Sequence, residues 1–415
     1  MTTSVQAKHD VGGVLLDRPF KIRRLGHFGF NVADANMEAC RRFYSDLLGF
    51  RISDEIDFAS RLPEEQRGGL QHPTGYFTRH NTDHHTFVLF NRDVMDRMAQ
   101  LGQRRVVPGV TINQITWQVG SLAEVGNGAK WFKEEGVPIV RTGRDMPGSN
   151  WHTYVLDPDG HTNELYYGIE QVGWEGFSKP RSLYHRGFQQ PPELPQISEI
   201  DEIRNELAQG TDLHAGYHQH DDLPATYDVD GILLPRPFKV VRIGPVSLFV
   251  ANVAAATAFY RDRLGFKVSA ELDWHGYHCV FLRANTEHHA LALLPVQLRP
   301  TLGMNVHTTC AAFGMQVANY RQLRAAVQFL TENGCRLLDS VPPELYPGID
   351  YAAHVLDPDG HCIQLYYYMQ QVTGDGRAST SLERLGAGAD PAGWPETVEA
   401  RPDTFAGEPF LGPWG

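Results

Sequence analysis

The sequence predicts an α+β fold made of four βαβββ modules paired into two domains. Three observations predict it. First, the chain repeats itself: RPFKIRRLGHFGFNVAD from Arg18 matches RPFKVVRIGPVSLFVAN from Arg236, and FYSDLLGF from Phe43 matches FYRDRLGF from Phe259. NTDHHTFVLF from Asn81 is echoed by NTEHHALALL from Asn285, and VLDPDGH at Val155 returns at Val355. Four matches in one order mean two copies of one unit. Second, each copy runs twice through a strand, a helix and further β-rich runs. Third, 415 residues suffice for two or three domains of roughly 150 residues each, and 42% apolar with 21% charged residues is the make-up of a folded chain.

Taken in order, Leu25 to Val32 reads as a strand and Asn36 to Leu48 as a helix. Three short β-like runs follow, the last from His85 to Phe90. The cycle restarts with the strand Ile112 to Val119. Ser121 to Glu135 has helical spacing, with Gly136 as its stop signal. Val137 to Val140, Trp151 to Leu156 and Thr162 to Tyr167 are rich in β-branched and aromatic residues and read as strands. Between the last two, Asp157-Pro158-Asp159-Gly160 predicts a hairpin turn, because Pro fixes φ and Gly supplies φ > 0. The expected divisions are an amino-terminal arm (1–20), a first two-module domain (21–172), a connector (173–235), a second two-module domain (236–372) and a Gly/Ala/Pro-rich tail (373–415) onto which Trp394 and Trp414 suggest docking points. In the connector, Ser198 to Ala208 reads as a short acidic helix. His214, His218 and His220 have metal-like spacing, but beside Asp221 and Asp222 they read as a solvated loop.

Thirty-seven basic against 49 acidic side chains leave a net charge of −12, which repels phosphate and argues against nucleic acid or an anionic membrane as partner. No run approaches the ~18 apolar residues of a membrane span, and MTTSVQAKHDVGG lacks the apolar core of a signal peptide, so a cytoplasmic location is expected. Five scattered cysteines without a CxxC pair indicate neither a disulfide framework nor a zinc-thiolate site. Self-association into a homo-oligomer is expected.

Residues of equal parity share a face of a strand, so His27 on the first strand and Glu164 on the last can project inward together. Gln114 holds in the second module the position that His27 holds in the first. These residues resemble the vicinal oxygen chelate superfamily and, within it, the type I extradiol ring-cleaving dioxygenases. The run Tyr154-Val-Leu-Asp157-Pro158-Asp159-Gly160-His-Thr-Asn-Glu164 is similar to that family's Tyr-x-x-Asp-Pro-x-Gly-x-x-x-Glu signature, and His84-His85 to its His-bearing strand. The resemblance implies open-barrel pairing of the modules and a metal, Fe(II) first and Mn(II) or another divalent ion next, held by His27, Glu164 and the residue at 114. It also implies a small aromatic diol and O₂ as substrates, Tyr154 as the substrate-side hydroxyl, and His84 or His85 as the acid/base. His85 is favoured: if His161 aligns with His84, Glu164 aligns with Phe87, whose parity His85 shares.

The chain departs from the family pattern at two places. Position 114 is Gln where the family has a second His, and Asp145 stands where it has a further active-site His. Either Gln114 is the third ligand, His85 binds the metal directly, or the metal is not iron. The carboxy-terminal half, where such enzymes usually hold iron, carries Pro245, Ala312, Gln364 and His354 at the positions of His27, Gln114, Glu164 and Tyr154. The expectation is therefore an active amino-terminal half and a degenerate second half. A non-redox metal-dependent isomerase, epimerase or lyase is the alternative, which Gln114 favours, and a metal-free binding or resistance protein is the third. Phe28, Phe30, Trp117, Trp151, Tyr166 and Tyr167 suit an aromatic substrate, although core packing explains each equally well.

Overall fold

A computed structural model describes residues 8–102, 107, 109–145, 150–172, 176–186, 189–191, 193–219, 223–372 and 390–399. A small hairpin, β1 (His9–Val11) and β2 (Val14–Leu16), precedes the first module. That module contains β3 (Arg24–Val32), α1 (Met37–Arg42) prolonged by a π-turn over Phe43–Leu47, β4 (Arg51–Asp57), β5 (Thr74–Arg79) and β6 (Phe87–Asn91). Next comes α2 (Arg92–Gln100), whose first turn is capped by the Asn91 side chain accepting from the Val94 N–H. The second module follows as β7 (Ile112–Gln118), α3 (Leu122–Glu134), β8 (Ile139–Arg144), β9 (Trp151–Leu156) and β10 (Thr162–Tyr167). The connector carries α4 (Glu199–Ala208) and a second hairpin, β11 (Tyr227–Val229) with β12 (Ile232–Leu234). The second half then runs β13 (Val240–Val250), α5 (Val253–Ala258), β14 (Lys267–Trp274), β15 (Tyr277–Arg283), β16 (Leu291–Pro295), β17 (Cys310–Val317), α6 (Tyr320–Glu332), β18 (Arg336–Leu338), β19 (Ala352–Leu356) and β20 (Cys362–Tyr366).

Each half folds into one open eight-stranded mixed sheet, in the order β4-β5-β6-β3-β7-β10-β9-β8 and β14-β15-β16-β13-β17-β20-β19-β18. Within a module the first strand pairs parallel with the last, as β3 does with β6 and β7 with β10. The modules join where β3 meets β7 antiparallel. Two strand boundaries and one helix differ from the sequence reading. The last strand of the first module begins at Phe87, so His84 and His85 lie ahead of it. Helix α2 was not expected; it forms because Val94, Met95 and Met98 bury against Phe58, Leu62 and Phe90. Strand β8 is shifted toward Arg144, because pairing with β9 extends to the Arg144–Trp151 pair.

The two sheets pack through reciprocal contacts. Phe28 stacks on Phe313 with centroids 4.3 Å apart, and Phe30 on His361 at 4.0 Å. Tyr44 donates to Asp357 and Tyr260 to Asp157, each at 2.9 Å. The Asp-Pro-Asp-Gly hairpins are thus also latches between the halves. Arg18 lies against Gly265 and Arg236 against Gly49: both glycines have positive φ, and a Cβ at either would sit 2.3 or 2.2 Å from the guanidinium. Phe28, Phe30 and Trp117 are therefore packing residues, Trp117 resting edge-on against Phe266.

In the connector, His218 stacks on Phe177 and His214 meets the same ring edge-on; His220, Asp221 and Asp222 lie outside the described residues. Trp394 is buried beside Tyr320 and Tyr351, whereas Trp414 lies outside them. All five cysteines are free thiols. No helix among the described residues is long and apolar enough to cross a membrane.

Candidate metal and substrate site

Strand register lines five side-chain positions into one row on one face of the first sheet. His27 pairs with Thr116 across β3 and β7, Thr116 with Glu164 across β7 and β10, Glu164 with Tyr154 across β10 and β9, and Tyr154 with Arg141 across β9 and β8. The row brings His27 and Glu164, 137 residues apart, to 3.0 Å between Nε2 and Oε2. Both are fully buried. Thr116 donates to the same carboxylate oxygen at 2.8 Å, and Asn150 donates to the other at 2.5 Å. Burial alone would raise the Glu164 carboxyl, but the charge and hydrogen bond of His27, with His152 and Thr116, hold it below its usual value.

Gln114 lies on the same face, opposite Gly29. It is the diagonal neighbour of His27 across the β3–β7 pair, a relation within reach of long side chains. No hydrogen bond joins it to His27 or Glu164 among the described residues, nor does any cluster of three His, Cys, Asp or Glu side chains there suit a metal. The His27–Glu164 pair does fit one edge of a coordination sphere: two ligands, each ~2.1 Å from a common ion and at right angles, stand about 3.0 Å apart. The other ring nitrogen of His27 is buried with no hydrogen-bond partner among the described residues. The buried His27–Glu164 pair is thus suited to a divalent ion, and Gln114 stands on the same face at the diagonal.

The structure brings His85 to His27, with ring centroids 4.4 Å apart, and sets His84 behind it, the two Nδ1 atoms 3.0 Å from each other. The expected alignment of Glu164 with Phe87 does not hold. Glu164 pairs with Thr116 and Val88 with Gly29, so Val88, not Phe87, is the counterpart of Glu164 under the local two-fold relating the modules. His85 approaches His27 from the irregular entry to β6. Tyr154 is partly exposed, with the Arg141 guanidinium 4.9 Å above its ring. Arg141 in turn holds Asp145 through two 2.8 Å hydrogen bonds.

Sequence reasoning missed His152, Thr116, Asn150 and Arg141. His152 stands 4.7 Å from the Tyr154 ring and 3.8 Å from Glu164, and burial lowers its imidazole to about 4, so it is neutral near pH 7. It sits two residues before Tyr154, and strand parity alone would have found it. The others need the register between strands.

The fold and the paired modules define the class: the chain belongs to the Glyoxalase/Bleomycin resistance protein/Dioxygenase superfamily, whose model matches residues 24–165 and again 242–365. Within it, the chain is 26% identical to Metapyrocatechase 2 of Cupriavidus necator over 181 residues. That match covers 42% of this chain and 46% of the relative, less than half of its length. The Mn(II)-bound glyoxalase from Novosphingobium aromaticivorans superposes with a TM-score of 0.53 over 92% of this chain and 97% of its own, at 15% identity. The 2,3-dioxygenase LapB from Pseudomonas sp. KL28 gives 0.53 over 86% of this chain and 96% of its own, at 14% identity. At such identities the likeness shows the fold.

Proposed function

We propose that the amino-terminal half is a metal-dependent, extradiol-type dioxygenase site that opens a catechol-like ring with O₂. The observation that carries this reading is the buried His27–Glu164 pair, flanked by Tyr154 on one side and His85 on the other. Fe(II) is the favoured metal and Mn(II) the next. Held by His27, Glu164 and Gln114, such an ion would supply open positions for the two oxygens of a vicinal diol and for O₂.

The protein's own groups do the rest. Burial drives His85 well below the usual imidazole range, so it is neutral and can take the diol proton, then return it as ring opening proceeds. Tyr154, under the Arg141 guanidinium, orients a substrate oxygen. His152 stands ready to donate or accept beside it. Burial of His27 and Glu164 keeps water from the ligand pair. Both atoms of O₂ enter the ring-opened product.

The test is anaerobic purification, metal analysis and an O₂ electrode. About one metal per chain, with O₂ uptake and a yellow product on adding a catechol, is expected. Silence across a broad catechol panel with iron loaded overturns the reading. Gln114 favours a second one, a non-redox isomerase, epimerase or lyase that stabilises an enediolate on a divalent ion. Turnover under strict anaerobiosis with Mn(II) would establish it.

A further inference from the structure

The His84–His85 pair does not by itself separate the two halves. His288 and His289 reproduce it: their Nδ1 atoms are again 3.0 Å apart, and their rings lie at 88° as do those of His84 and His85. The backbone holding each pair matches too, with His84 N–H donating to the Glu170 carbonyl and His288 N–H to that of Gln370. What differs lies behind the pair. Asp54 pairs with Phe77 across β4 and β5, and Ala270 pairs with Phe281 across β14 and β15, each after the same register shift. Among the described residues, the position that sets a buried carboxylate behind the histidines in the half with His27 and Glu164 carries an alanine in the other.

Asp54 is 2% exposed and His84 5%. One Asp54 oxygen accepts from the Glu55 N–H at 2.8 Å. The other faces His84 Nε2 at 3.9 Å, and neither of these two atoms has a hydrogen-bond partner among the described residues. Two buried, unsatisfied and complementary atoms at that separation lack only a small rotation of a carboxylate to meet.

We propose that Asp54 is a positioning residue that selects the tautomer of His85 through His84, an inference that rests on the acid/base role given to His85 above. A carboxylate accepts only, so it retains the proton of His84 on Nε2. A neutral imidazole carries one such proton, which leaves His84 Nδ1 bare. The 3.0 Å contact then requires the proton on His85 Nδ1. His85 Nε2 is left as the ring's sole lone pair, able to receive a proton from a substrate hydroxyl. Without Asp54 the chain can run the other way, with Nε2 of His85 protonated and unable to act as base.

Histidine ¹⁵N labelling of the full chain tests this directly, because long-range ¹H–¹⁵N correlation distinguishes bare from protonated ring nitrogens; His85→Gln assigns the signal. The wild-type chain should show His85 Nε2 bare and His84 Nε2 protonated. Asp54→Ala should move His85 Nε2 to the protonated or averaged position, and Asp54→Glu should restore it. If Asp54→Ala fails to fold, Asp54→Leu fills the same space without an acceptor. A protonated His85 Nε2 in the wild type, or a bare one in the acceptor-free variant, overturns the proposal. In turnover, Asp54→Ala should lower kcat at least ~10-fold, part of the 10²–10⁴ that a positioned base contributes, with KM and metal content unchanged. The tautomer readout does not depend on the reaction. If no catechol is cleaved yet the tautomer follows Asp54, the dioxygenase reading fails and the positioning role stands.

Discussion

The same row of five positions exists in both halves, with opposite chemistry. In the first half it reads His27, Thr116, Glu164, Tyr154 and Arg141; in the second, Gly314, Gln364, His354 and Leu338 pair in the same order, and Pro245, at the position of His27, falls in the register shift between Ile243 and Val246. Gly314 packs so closely on the Gly244–Pro245 bend that a Cβ there would meet the Gly244 carbonyl at 2.3 Å. Gln364 and His354 still touch, at 3.0 Å, but with no charge between them, and burial lowers His354 to about 3. Leu338 of that row belongs to one buried apolar cluster with Leu298, Leu302, Met304, Leu345 and Tyr346, and the Tyr346 ring lies 5.5 Å from that of His354. Register is a property of the backbone and survives. Donors are costly to bury without a ligand or partner, and in the second half apolar packing has taken their place.

The largest effect should come from exchanging donors across this comparison. His27→Ala or Glu164→Ala should abolish metal binding and reduce turnover at least ~10³-fold, as loss of an essential group in a cooperating site does. Gln364→Ala should leave metal content unchanged and cost about 1–3 kcal/mol of stability through the stranded His354. Metal analysis and thermal melting read both. Metal loss in Gln364→Ala would mean the site lies in the other half. Gln114→His sharpens the point: stronger iron retention during gel filtration would show that position 114 is a ligand position.

Why some of this was legible in sequence and some was not follows from the physics of each element. Strands β9 and β10 coincide with the runs Trp151 to Leu156 and Thr162 to Tyr167, because a hairpin with local turn chemistry is specified by adjacent residues. His27 and Glu164 were legible from parity and motif, whereas His152 was offered by parity alone. Gln114 shares the expected face, but whether its side chain reaches an ion is set by the diagonal across β3 and β7. His85 was favoured through a pairing with Phe87 that the β3–β6 register replaces with Val88. Asp54 was invisible, since nothing in RISDEID says which carboxylate meets a histidine 30 residues later. Helix α2 was missed because its apolar face becomes meaningful only against Phe58 and Leu62.

The interdomain latches allow a finer comparison. Tyr260 donates to Asp157 and also accepts from Asn163 Nδ2 at 3.1 Å, whereas Tyr44 donates to Asp357 alone at 2.9 Å. Removing the hydroxyl strands one more buried group at Tyr260. Tyr260→Phe should therefore cost about 3 kcal/mol and Tyr44→Phe about 2 kcal/mol, by the usual penalty for unsatisfied and charge-assisted hydrogen bonds. Urea unfolding measures the difference. Equal costs would show that Asn163 finds another acceptor, leaving the latches equivalent.

The smallest difference is between Glu170 and its counterpart Gln370, both buried. Burial raises the Glu170 carboxyl to about 8, with Lys179 opposing it. A carboxyl whose folded pKa is raised stabilises most below its unfolded value near 4.5, and that contribution is lost as pH rises toward 8. Gln keeps the acceptor for the Lys179 N–H, which Glu170 holds at 2.8 Å, and does not titrate. Glu170→Gln should thus melt close to the wild type at pH 5 and above it by roughly 2–4 °C or more at pH 8, the shift that about 1 kcal/mol gives in a domain of this size. A gap that narrows with pH would instead mean that ionised Glu170 is held by Lys179, so that the charge absent from the second half supports the fold of the first.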